Sequence, residues 1–411
     1  MTADGTPETA EGTPVVTAGR RISTASGVAD DDGLDIPAAS PGVSPTKRRH
    51  LYEIDILRIL TFVCVISVHS VSHSASATDV WQNGFLILVH FTRELFFALT
   101  TFVLTLSYLA RPIPLRKFWP RRFLLVGVPY VTWSFLYPAL AWLRRPSGTL
   151  DSFLLTFWRD LYEGTAWYHL YFLLVTMQVY LLLPLLVWMI RKTRRHHWAV
   201  LAFAFAFALV LTWCIHYHPS YVIWIDKYNR IEFTSYLFFI VAGAVAADHA
   251  TEFLAWVRHH RRLIVGLTAV GAAASIGVYV YNMAIGESAV TAATALQPIV
   301  IVWSIPVGLV FLVIGAAWAD RRRPDSRSAR LVDTATDRSF GIFLAHPLLI
   351  WFLLWVGGGW IAHTLPYPLL SPVLYVLVVV GTVLLVEILR RTPASLALTG
   401  RPFRARDAAG R

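Results

Sequence analysis

Residues 51–73, LYEIDILRILTFVCVISVHSVSH, decide the fold. The segment is apolar and long enough to cross a bilayer as a helix, yet it carries Arg58 and, eleven positions later, His69. Eleven residues make almost three helical turns, so the two side chains fall within about 20° of one another on one face, about 16 Å apart along the axis. They share a stripe without touching. A charge inside a membrane helix costs about 2.5–3.5 kcal/mol on insertion scales, which directs it to a polar interior rather than to lipid. Asp55, three residues earlier on the same side, is the nearest helical partner for Arg58.

The rest of the chain repeats this pattern. Of its 411 residues 56% are hydrophobic and only 15% charged, and 16 are Trp. The reading is all-α: a polytopic integral membrane helical bundle. Ten apolar segments approach spanning length, at 51–72, 84–109, 123–143, 167–190, 199–216, 231–248, 263–282, 297–319, 338–357 and 372–390. Starting inside, alternate loops and tails hold 29 of the 36 Lys and Arg, and the opposite loops hold 5, Arg58 and Arg93 being the remainder. That asymmetry predicts ten transmembrane helices with both termini cytoplasmic. It also accounts for the net charge of +11 without nucleic acid. Between 144 and 166, Phe153 to Trp158 is too short to cross and reads as a re-entrant or interfacial piece.

Residues 1–50 form a tail that is polar and nearly free of aromatics, expected to be disordered and cytoplasmic; its basic end, Lys47 to His50, precedes the first span. No apolar core follows a basic start within the first thirty residues, so no cleavable signal peptide is expected. The membrane domain covers 51–390, and 391–411 is a second cytoplasmic tail. Cys64 and Cys214 lie in apolar runs, and the histidines at 196–197, 216–218, 249 and 259–260 show no zinc spacing, so no metal is expected.

With this orientation Arg58 lies about 10 Å in from the cytoplasmic end and His69 within two turns of the outer end. An anionic donor reaching the cation from inside and an acceptor reaching the imidazole from outside would suit that arrangement; a snorkelling Arg and a hydrogen-bonded His is the other reading. On the second span Arg93 is about 13 Å deep, with Glu94 beside it. Adjacent helical residues point about 100° apart, so each is expected to find partners on other helices. Arg121 and Arg122, in the basic loop after that span, face either acidic headgroups or the phosphates of a cytosolic donor. His169 opens the fourth span beside Tyr168, as an acceptor-binding or proton-carrying pair or as part of an interfacial belt. His346 precedes Pro347, which frees a carbonyl that lines a donor path or takes a structural hydrogen bond.

Asp55, Leu57 and Arg58 followed by His69 and Ser70 resemble the first-helix motif of the membrane-bound acyltransferase type 3 family. FWPRRFLLVGVPY (118–130), TRELFFALTTFVL (92–104), WYHLYFLLVTMQVYLLLP (167–184) and SFGIFLAHPLLI (339–350) are similar to further pieces of it, in order across 51–390. Thr100 and Thr101 stand where that family commonly has Ser-Gly, Tyr171 where a Trp is frequent, and Phe343 where a Tyr is usual. The chain resembles the stand-alone form, without an SGNH-type extension. The resemblance implies transfer of an acyl group, usually acetyl, from cytosolic acyl-CoA to a hydroxyl of a carbohydrate or other envelope acceptor. Acyl-CoA would be a co-substrate, with no cofactor bound permanently. His69 would be the general base, with Arg58 and Arg93 binding the donor or stabilising charge. Donor contacts would come from Arg121, Arg122 and His346, and acceptor contacts from His169, Tyr168 and Glu94. The composition points to a bacterial inner membrane. A transporter or flippase is the alternative, although no inverted repeat supports it.

Overall fold

The computed structural model describes residues 50–403 apart from 147, 223–227, 358–364 and 366–368, and among these residues the only regular structure is helical. The proposed disorder of the N-terminal tail lies outside the described residues. Helix α1 is Tyr52–Ser74 and meets the expected first span. Nine helices are long and apolar enough to cross a membrane, or ten if one sharply bent pair counts as a span. The chain is therefore a multi-pass helical membrane protein.

The second span is broken. Val80–Val89 (α2) is capped by the Asp79 carboxylate, which accepts from the backbone N–H groups of Trp81 and Gln82, and the helix restarts as Thr92–Ala110 (α3). Leu115–Arg144 (α4) runs through Pro120, Pro129 and Pro138, interruptions that buried membrane helices tolerate because neighbours re-satisfy freed backbone groups. The doubtful 144–166 stretch forms a 14-residue helix, Leu150–Glu163 (α5), in which only Phe157 is buried. It is too short to span and exposes most of its length. The Thr149 hydroxyl caps its start, and Gly164 ends it in the left-handed region at φ 68°.

The fourth span begins four residues later than expected, at Tyr171–Lys192 (α6), so His169 lies in the turn before the helix. His197–Tyr217 (α7) follows. The sixth expected span is the bent pair: a 3₁₀ turn runs into Leu237–Asp248 (α8), and the chain then swings through 98° into Ala250–His259 (α9). Arg261–Ala284 (α10), Pro298–Arg321 (α11), Arg327–Val356 (α12) and Leu370–Leu389 (α13) complete the bundle, and Ser395–Thr399 (α14) folds back beneath it. The 30-residue α12 starts eleven residues before the expected ninth span.

Helix α1 is central, packing against α2, α3, α11, α12 and α13. Two glycines permit the closest approaches. A Cβ on Gly315 of α11 would stand 2.5 Å from the Glu53 carbonyl oxygen of α1, and one on Gly243 of α8 would stand 2.2 Å from that of Ala98 of α3. Both contacts are with backbone, which cannot step aside as a flexible side chain would.

Candidate active site

Along α1 the ring of His73 follows that of His69 by one turn, 6.5 Å away. The turn before α6 inserts Tyr168 against both, at 4.7 Å from His69 and 4.6 Å from His73. From α12, His346 approaches His69 at 5.3 Å, and His169 stands 5.6 Å beyond it. Four imidazoles and a phenol from three separate parts of the chain thus form one cluster. His169 and His346 are completely buried, whereas His73 is exposed, so the cluster runs from the interior to the surface.

Pro347 sets the chemistry of His346. Lacking an N–H, it cannot bond the Phe343 carbonyl one turn back. The His346 side chain takes that acceptor instead, with Nδ1 2.8 Å from the Phe343 oxygen and 3.2 Å from that of Ile342. Nδ1 therefore carries the proton and Nε2 the lone pair. That Nε2, both ring nitrogens of His169, Tyr168 Oη and Trp167 Nε1 are buried without a well-formed hydrogen bond. A buried polar atom left unpaired costs about 1–3 kcal/mol, so five in one place is the profile of a site shaped for a polar ligand.

No carboxylate hydrogen-bonds any of the four rings among the described residues, so this is not a Ser-His-Asp arrangement. A cavity of about 190 Å³ opens onto the cluster, lined by His73, Arg144, Trp167, Tyr168 and Pro347 among others. Arg144 also borders an apolar cavity of about 540 Å³ between α4 and α12, with its guanidinium over the rings of Trp351 and Trp355.

Beneath the histidines lies an aromatic layer. Phe62 is 6.1 Å from both Phe96 and Phe343, Phe96 stacks on Phe343 at 6.0 Å, and Phe172 meets their edges at 5.5 and 5.8 Å. On α1, Phe62 is one turn from Arg58 and two from His69, so the layer separates their levels. Arg58 has no hydrogen-bond or ion-pair partner among the described residues; Asp55, its expected partner, is 2.5 Å from His50 Nε2 instead. Helix entry at Tyr52 explains this, since it turns His50 back over the first turn, where Asp55 points.

Arg93 stands on the histidine side of the layer, three residues before Phe96. Contrary to expectation it pairs with Glu94, Nη2 to Oε1 at 3.4 Å. The break before α3 is the reason: both residues lie in the first turn of a new helix, where a carboxylate is favourable and the long Arg side chain can fold across. Arg93 also stands 5.9 Å from the Tyr236 ring and beside Tyr171. Arg121 and Arg122 are remote from the histidines, near the Arg58 end of α4, where Arg122 lies over the Phe118 ring at 5.7 Å.

The acyltransferase domain family known as acyltransferase 3 matches residues 51–389, nearly all of the described chain. The chain belongs to this family. No curated protein and no solved structure matches it. As an acyltransferase, the protein carries its histidine cluster and Arg58 wholly inside the matched region. The sequence reading missed His73, although its place one turn after His69 on the same face was visible. It also missed Tyr137, which stacks on Trp167 at 4.8 Å, meets His169 edge-on at 5.5 Å and donates to the Leu344 carbonyl at 2.7 Å. Nothing in the spacing of α4 marks that tyrosine.

Proposed function

We propose that this acyltransferase moves an acyl group, acetyl in the simplest case, from acyl-CoA to a hydroxyl of a carbohydrate or other envelope acceptor. The observation that carries the reading is the gathering of His69, His169, His346 and Tyr168 around buried nitrogens that lack hydrogen bonds. The acceptor enters by the cavity beside His73 and Tyr168, and its hydroxyl proton passes to the neutral imidazole of His69. The oxygen then attacks the thioester carbonyl, forming the ester C–O bond. Collapse breaks the C–S bond, and the thiolate of CoA takes up the proton from the imidazolium. His346, with its lone pair fixed on Nε2, and His169 hold or relay the proton within the cluster.

The two arginines have different tasks. Arg93, on the histidine side of the aromatic layer, stabilises the oxyanion of the tetrahedral intermediate. Arg58, on the far side and without an ion partner, meets the anionic part of the donor, with Arg401 close enough to add to the local positive charge. Arg121 and Arg122 extend that basic approach. The donor's acyl arm must then pass Phe62, Phe96 and Phe343 to reach His69. By the distribution of Lys and Arg, the Arg58 end faces the cytoplasm of a bacterial inner membrane and the His69 end faces outward.

The test is release of CoA thiol from labelled acetyl-CoA by purified protein offered an envelope glycan extract. Wild type is expected to form labelled ester and release thiol in equal amounts, and His69→Ala to do neither. Equal turnover by both would remove His69 from the mechanism.

A further inference from the structure

Away from α1, a second group of side chains assembles where α7, α8 and α9 meet. His197 opens α7, Asp248 ends α8, and His249 lies at the 98° bend into α9. One ligand-capable atom from each lies within 4.8 Å of the others. His197 Nδ1 is 3.0 Å from His249 Nε2, which is 3.9 Å from Asp248 Oδ2. A tetrahedral ion with bonds of about 2.1 Å holds its ligand atoms about 3.3 Å apart, so the three need only small adjustments to share one.

The orientation of His197 points the same way. Its Nε2 is 2.9 Å from the Ile190 carbonyl oxygen. That bond places the proton on Nε2 and leaves the lone pair on Nδ1, the atom that faces His249. Metal-ligating histidines are held in this manner, by an outer hydrogen bond from the nitrogen that does not ligate. A simple His–His hydrogen bond would account for two residues but not for Asp248. Its Oδ2 is buried without a well-formed hydrogen bond, and Arg194 Nε stands 3.4 Å away from a largely exposed side chain.

We propose that His197, Asp248 and His249 bind a divalent transition-metal ion of the zinc class, with water completing the shell. The ion fastens the start of α7 to the α8–α9 bend and so fixes the direction of α9. Arg258 of α9 bonds Glu53 at the start of α1 and Asp320 at the end of α11. The site thereby braces the helix that carries Arg58 and His69. Its ligands lie 52 residues apart in sequence at their widest, which is why no spacing motif reveals it.

The experiment uses full-length protein without a histidine tag, purified in detergent, stripped with EDTA and titrated with Co²⁺. One equivalent should bind with the intense visible bands of a tetrahedral site and be displaced by Zn²⁺. His197→Ala and the nearly isosteric Asp248→Asn should weaken binding by more than about 100-fold, the upper end of what losing an outer-shell partner costs. Arg194→Gln, which releases Asp248, should strengthen it. If His197→Ala does not fold, Asp248→Asn still decides. Failure of wild type to take up Co²⁺ or Zn²⁺, or binding by Asp248→Asn equal to wild type, overturns the proposal. Either result leaves the acyl-transfer reading untouched.

Discussion

At one end of α1, Glu53 is bonded to Arg258, which also reaches Asp320 at 2.6 Å, and close by Asp337 holds Arg390 at 2.5 Å while Glu387 holds Arg338 at 2.9 Å. At the other end, His69 sits among imidazoles and a phenol with no carboxylate bonded to any of them, and several buried polar atoms have no partner. The paired end resembles a fastening and the unpaired end a working site. Charges that satisfy one another fix helices in place, whereas polar atoms kept dry and unsatisfied are retained for what binds them. Arg58 is the exception that links the two, a cation without an ion partner at the fastened end.

The largest effects should therefore fall at the unpaired end. His69→Gln is expected to lower the rate of acyl transfer by about 100- to 10,000-fold, the range for loss of a general base, with helix content unchanged by circular dichroism. Next comes Arg93→Ala, expected to cut kcat by about 100- to 1,000-fold as an oxyanion donor is lost. Arg58→Ala should instead raise the KM for acyl-CoA with a smaller change in kcat, because it acts on the donor and not on the reacting carbonyl. A fall in kcat alone for Arg58→Ala would erase the distinction between the two ends. Smallest in catalysis is Arg258→Gln, which should lower the melting temperature by a few degrees and leave KM and kcat near wild type, as partly exposed ion pairs contribute little.

Much of this was legible in the sequence. The period of α1 put Arg58 and His69 on one face, and hydropathy with the Lys and Arg asymmetry located the spans. The His346–Pro347 pair announced a freed carbonyl, and the structure shows the imidazole taking it. What stayed hidden depended on tertiary position. Helical geometry alone cannot tell that the chain breaks between Val89 and Thr92, so the pairing of Arg93 with Glu94 was missed. Nor does hydropathy register a bend such as that between Asp248 and Ala250, because both arms remain apolar enough to read as one segment. The meeting of His169 with His346 needed the packing of α6 beside α12, a long-range contact without a sequence period. The aromatic layer was hidden for the same reason: Phe62, Phe96, Phe172 and Phe343 come from four helices, and each alone is an ordinary core residue.

The central claim is that the histidines from α1 and α12 act as one unit. Initial rates of acyl transfer for His69→Gln, His346→Gln and the double variant test it most directly. Groups that share a step lose little more together than singly, so the double variant should be about as slow as the slower single variant. If the two losses multiply, or if His346→Gln turns over like wild type, the histidines do not form a single catalytic centre.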